Sequence, residues 1–315
     1  IMAYTTIDDP TAYFQTVIYT GNATARAITF DGNTDMQPDW VWGKQRSGTD
    51  SHQVSDSVRG ATKKLNPDTT AAEDTTSTHV TAFNSNGFSV GTGGGYNGNT
   101  ITQVAWCWKK TATAGFDIVA YTGTGSSNAV SHSLSATPNM MIIKNRDDTD
   151  SWYVWHQGLG AVATNYITLD TTGAASSVDN GIIALSSSNF TVNTRGDVNE
   201  NNMKYIAYCF AQKQGFSKIG SYIGTGSDVF IHTGFKVGWL LVKNADNTNG
   251  WLVIDTKRSP ANPQGKYIYA NASSAEGTVT YGEFFSNGFG WKGTGSVAVN
   301  QSGEKFIYYA IAENP

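Results

Sequence analysis

Val104-Ala105-Trp106-Cys107-Trp108, Tyr205-Ile206-Ala207-Tyr208-Cys209-Phe210 and Phe306-Ile307-Tyr308-Tyr309-Ala310-Ile311 are three versions of one segment, spaced about 100 residues apart. Each is apolar at nearly every position. A strand with one face in water alternates apolar and polar residues, so an unbroken apolar run predicts a central strand covered on both faces. Cys107 and Cys209 occupy one position and Ala310 the third, which is the pattern of a small residue packed inside a sheet.

Working outward from these segments, further landmarks recur in the same order. Upstream lie Tyr19-Thr20-Gly21, Tyr121-Thr122-Gly123 and Tyr222-Ile223-Gly224, then an apolar strand ending in Lys44, Lys144 or Lys243. A polar loop follows each lysine, and the next strand opens at His52, Trp152 or Trp251. Later come Ser85-Asn86-Gly87-Phe88, Ser188-Asn189-Phe190 and Ser286-Asn287-Gly288-Phe289. Self-similarity at a fixed period signals a repeat architecture. The chain divides into a lead-in, 1–12, and three units, 13–116, 117–216 and 217–315. Within unit two, strands are predicted near 117–122, 128–134, 139–146, 151–156, 165–170, 181–185, 189–193 and 204–212. Short strands separated by turn residues predict an all-β protein of three tandem β-sandwiches, jelly-roll or lectin-like, each about 100 residues long. The units could also surround a pseudo-threefold axis.

Composition agrees with this reading. The 315 residues include 34 Gly, 9 Trp, 15 Tyr and 14 Phe, with only 15% charged residues and a net charge of -4. Lys and Arg are not clustered, which argues against nucleic acid as a partner. No apolar stretch approaches the roughly 20 residues that span a bilayer, and no secretory signal is visible at the start. Two cysteines are too few for a disulfide framework.

Catalytic motifs are missing. The five histidines, at 52, 79, 132, 156 and 232, make no pair at zinc-binding spacing. Gly91-Thr92-Gly93-Gly94-Gly95 lacks the residues of a phosphate loop and reads as a long flexible turn. Asp56 and Asp255 align, as do Arg59 and Arg258, while unit two has His156 and Leu159 in their places. These pairs read as surface or loop-bracing ion pairs. A depolymerase would instead need two carboxylates about 5–9 Å apart in a groove. The expectation is a non-enzymatic protein with no cofactor and no metal. Candidate binding positions are the repeated loops, through Thr49 and Asp50, then Asp147, Asp148 and Asp150, then Asp246, Asn247 and Asn249. Function concentrates on loops held by a rigid scaffold, and saccharides are commonly held by aromatic faces plus hydrogen bonds from Asn, Asp and Gln, in all of which the chain is rich.

The opening Ala3-Tyr4-Thr5-Thr6-Ile7-Asp8-Asp9-Pro10, with Ala12-Tyr13-Phe14-Gln15-Thr16, resembles the start of tail-fibre-like virion proteins from tailed phages of marine bacteria. So do Asp35-Met36-Gln37-Pro38-Asp39-Trp40, Ala105-Trp106-Cys107-Trp108-Lys109, Gly220-Ser221-Tyr222 and Ala312-Glu313-Asn314-Pro315. The resemblance covers essentially the whole chain. It implies a phage particle component displayed outward, on the tail or the capsid, made in the host cytoplasm without a signal peptide. The partners it implies are other virion proteins, further copies of the chain (a trimer, for example) and a host-surface glycan. It supplies no catalytic residues.

Overall fold

The computed structural model describes residues 5–177 and 180–314, with the side chain of Asn314 left aside. The chain is all-β and its sheets are antiparallel. Among the described residues the only α-helical segments are single turns at Gly94–Asn97 and Gly196–Asn199. The start of the lead-in, residues 1–4, lies outside the described residues.

One strand order occurs three times. In unit one a sheet runs Phe14–Thr20, Thr102–Trp108, Trp40–Gln45, Gln53–Asp56. A smaller sheet runs Arg26–Thr29, Gly87–Val90, Val80–Asn84. Unit two repeats the first order with Phe116–Thr122, Lys204–Phe210, Met140–Asn145 and Tyr153–His156. Unit three uses Ser217–Ile223, Lys305–Asn314, Lys236–Asn244 and Leu252–Asp255, and there Gln264–Tyr269 and Gly277–Phe285 join the two sheets into one. The strands expected in unit two are all present, some shorter at their ends, and Ser176–Ser177 is an additional short one.

The three apolar segments are central strands, each hydrogen-bonded on both sides. Their side chains alternate between two cores. Val104, Trp106 and Trp108 of unit one, Ile206, Tyr208 and Phe210 of unit two, and Ile307, Tyr309 and Ile311 of unit three all enter one core shared by the three units. The intervening Ala105 and Cys107, Ala207 and Cys209, and Tyr308 and Ala310 each enter a private core beneath the unit's own smaller sheet. Both cysteines are buried and free. All nine tryptophans are buried, as expected of rings on interior strands.

The Tyr-x-Gly landmark has a local cause. The hydroxyls of Tyr19, Tyr121 and Tyr222 donate to the carbonyls of Tyr96, Val198 and Val299 at 2.7, 2.6 and 2.5 Å. Two residues on, a Cβ at Gly21, Gly123 or Gly224 would sit 2.1 Å from the carbonyl oxygen of Gly98, Glu200 or Gln301. Only glycine tolerates that approach.

The glycine-rich segment 91–95 differs from the expected loose turn. It leads into the helical turn at Gly94–Asn97, whose Tyr96 is buried and donates to the carbonyls of Val41 and Gln53 at 3.1 and 2.8 Å. A Cβ at Gly95 would overlap the Gln53 amide at 1.6 Å, so these glycines serve close packing.

Candidate functional site

The polar loops sit between the lysine strand and the strand after it in each unit, and each is braced from inside. Lys44, Lys144 and Lys243 are fully buried. Lys44 Nζ donates to the carbonyls of Gln45 and Gly48 at 2.8 and 3.1 Å. Lys144 does so to Asn145 and Asp148 at 2.7 and 3.0 Å, and Lys243 to Asn244 and to Asn247, the latter at 3.2 Å. Burial pushes all three ammonium pKa values down to about 8. The sequence showed a lysine ending each strand; that it points inward required the fold.

The loop residues named from the sequence divide their groups between bracing and solvent. Asp50 accepts from the Gln45 amide at 2.7 Å and Asp150 from the Asn145 amide at 2.8 Å. Asp147 and Asp246 accept from the backbone N–H of Lys204 and Lys305 at 2.9 and 2.7 Å. Asn247 donates to Glu304 at 3.0 Å, and the Asn249 N–H reaches the Thr172 carbonyl of unit two at 2.8 Å. Thr49 and Asp148 are exposed, with Asp148 bonded to the Thr149 N–H. Among the described residues no group of three or more His, Cys, Asp or Glu is placed to hold a metal ion.

The seams between units repeat around a ring. Trp152 of unit two donates to the carbonyls of Asn66 and Thr69 of unit one at 3.0 and 3.1 Å. Trp251 of unit three donates to the Thr168 carbonyl of unit two at 2.9 Å. His52 closes the circle. Its Nδ1 accepts from Trp42 at 2.9 Å, so its Nε2 carries the proton and donates to the Tyr269 carbonyl of unit three at 3.0 Å. Backbone bonds of 2.8 Å join Glu73 to Arg146, Ala175 to Ala245 and Glu276 to Arg46 in the same sense. Each unit is thus hydrogen-bonded head to tail to the other two, the third contact joining unit three back to unit one.

The aligned acids lie in these seams. Asp56 pairs with Arg59 and accepts from the Tyr208 hydroxyl of unit two at 2.8 Å. Asp255 pairs with Arg258 and accepts from Trp106 Nε1 of unit one at 2.9 Å. Glu73 takes a two-pronged contact from Arg146, and Glu276 one from Arg46. Burial alone would raise the Glu73 carboxyl, but Arg146 and Arg59 outweigh it and hold it below its usual value. Asp56 and Asp255 are each fully buried, in different seams, so the pairs are not surface ion pairs: packing of one unit on the next excludes water from them. Sequence reasoning found the Asp–Arg pairs and missed Arg46, Arg146, Glu73 and Glu276.

The seam between units two and three has different chemistry. Its positions carry His156, Leu159, Ala175 and Ala245, replacing the ionic set together. His156 Nδ1 accepts from the Gly158 N–H at 2.9 Å, and Nε2 faces the Tyr308 carbonyl of unit three at 3.1 Å. Burial lowers its pKa to about 4, keeping it neutral. A shallow cleft of about 280 Å³ opens here, bordered by Leu159, Asn165, Ala175, Ala245 and Asp246. The joint change of four positions was the signal in the sequence that these residues act as a set.

A family model described as "Domain of unknown function (DUF7483)" matches residues 9–315. The chain belongs to that family. The match spans residues of all three units. No curated protein matches the chain. No helix among the described residues is long and apolar enough to cross a membrane.

Proposed function

We propose that this chain is a structural component of a phage particle, a tail-fibre knob or surface decoration that meets the host cell. The observation that carries the reading is the closed ring: three units share one core and are bonded head to tail, a rigid block of trimeric form within one polypeptide. Such a block suits a part displayed on a symmetric assembly, next to other virion proteins or further copies of itself. Within this reading each unit is a jelly-roll or lectin-like sandwich, supported by the pairing of its first strand with its last and of its second strand with the last but one. A non-enzymatic role is supported by the aligned acids. Both are buried and committed to arginines, away from any shared groove. Immunogold labelling and cryo-electron microscopy of purified particles test the proposal. Density at a tail or fibre end supports receptor contact, a lattice over the head supports decoration, and particles lacking the chain refute it.

A second reading, glycan binding by the three loops, is favoured by the buried lysine that braces each of them from inside. Asp148→Asn with Asp50→Asn would then weaken binding on a glycan array.

A further inference from the structure

Internal repetition offers two built-in references for every position of the third unit, and one face departs from both. The outer side of the small sheet carries Ala27 and Ala82 beside Ser89, and Asn84 beside Gly87, in unit one. Unit two has Ala129 and Ala184 beside Thr191. In unit three the same places hold Phe230 and Glu283 beside Gly290, and Phe285 and His232 beside Gly288. Small and polar outer residues have become two phenylalanines and a carboxylate, and the serine or threonine of the middle strand has become Gly290.

These changes fit one another. Phe230 and Phe285 are 50% and 37% exposed, with ring centroids 5.6 Å apart at an interplanar angle of 66°. A Cβ at Gly288 would meet the Ile231 carbonyl oxygen at 2.3 Å and the Phe230 ring at 2.8 Å, and one at Gly290 the Val229 carbonyl oxygen at 2.5 Å and the Phe285 ring at 3.1 Å. Gly288 matches Gly87 of unit one, whereas Gly290, in place of Ser89 and Thr191, carries no side chain against the Phe285 ring. The result is a cleft of about 320 Å³ rimmed by Asp228, Glu283 and Lys292. That is the small end of the range for ligand sites. Asp228 accepts from the Gly293 N–H through one oxygen at 2.7 Å, and Lys292 lies 3.8 Å from Glu283.

We infer that this cleft on the third unit is a binding site for a neutral saccharide. A sugar ring has an apolar C–H face and a hydroxyl edge, which match exposed aromatic rings bordered by carboxylates that accept hydroxyl protons. Two carboxylates against one lysine leave the rim net negative, which disfavours acidic glycans. The inference shares with the proposed function only its biological setting, since it concerns binding by the isolated chain.

The test uses the purified full chain against neutral methyl hexopyranosides and neutral disaccharides by saturation-transfer NMR, with a glycan array to rank them. The variant pairs Phe230→Ala with Phe285→Asn, the residues that unit one carries at these places, and an unchanged melting curve verifies its fold. A single Lys292→Ala variant is run beside it. Neutral sugars are expected to bind the parent and to bind the paired variant at least about tenfold more weakly. The lysine variant should keep its preference for neutral over acidic sugars. The inference is overturned if no sugar binds, if acidic glycans are preferred, or if the paired variant binds like the parent. It is equally overturned if the pair alters only self-association in sedimentation. Binding lost through Asp148→Asn and Asp50→Asn alone would move the site to the loops. Particle labelling is independent of all these outcomes, so failure of the site and failure of the particle reading are separable.

Discussion

Removing Arg59 probes how the seam between units one and two is held. Its side chain is fully buried. Its Nε donates to Asp56, Nη1 lies 3.2 Å from Glu73, and Nη2 donates to the Val54 carbonyl at 3.1 Å. In Arg59→Leu the Val54 carbonyl keeps the Leu65 N–H, and Glu73 keeps Arg146. Asp56 keeps the N–H groups of residues 58 and 59 and the Tyr208 hydroxyl, at 3.1, 2.8 and 2.8 Å. It loses its arginine partner. Breaking a buried ion pair from one side costs about 3–5 kcal/mol. The three surviving donors place the expected loss near the lower end, about 3 kcal/mol. Unit two supplies the compensating change, since His156 and Leu159 occupy these positions. Asp56→His added to Arg59→Leu removes the stranded charge and should recover at least half of the loss. Guanidinium unfolding followed by tryptophan fluorescence measures both, and the shared core predicts a single transition for each. An Arg59→Leu stability within about 0.5 kcal/mol of the parent, or a double variant weaker than the single, would refute the reasoning.

Acid should destabilise the fold through its buried histidines. Burial lowers His156 to about 4 and His52 to about 3, while the unfolded chain titrates at the ordinary value of 6.5. Between those limits the unfolded state binds more protons, so stability is complete above the unfolded pKa and falls as pH is lowered through that window. The expected loss is on the order of 3 kcal/mol for His156, and His156→Gln should flatten the melting-temperature profile between pH 7 and about 4; parallel profiles would count against it. Lys144→Met keeps the stem and removes the ammonium that bonds Asn145 and Asp148. Because it also removes a buried charge, the net cost should be only about 1 kcal/mol. Amide exchange in 147–150 should rise at the same time, and unchanged protection there would show that the lysine does not brace the loop.

The recurrence of the landmarks, the positions of the strands in unit two and the two-sided burial of Thr102–Trp108, Lys204–Phe210 and Lys305–Asn314 are legible in the amino-acid order alone. Those features rest on local chemistry: glycine and asparagine turns, and apolar runs without polar breaks. The equivalence of Cys107, Cys209 and Ala310 was legible for the same reason, since a small residue recurring at one position of an apolar strand marks a tight interior contact. An apolar run does not say which of its faces meets a neighbour, however, and it took the fold to divide the residues between a shared core and three private ones. Asp56 and Tyr208 are 152 residues apart in the chain, as are His156 and Tyr308. Contacts at that separation arise where one unit meets the next; the recurrence of seam positions in the sequence does not say which residue of the neighbouring unit each one touches. The inward turn of Lys44, Lys144 and Lys243 and the exposure of Phe230 and Phe285 belong to the same class. Side-chain environment is set by which surfaces the closed ring covers, and that is a property of the assembled units rather than of any one stretch.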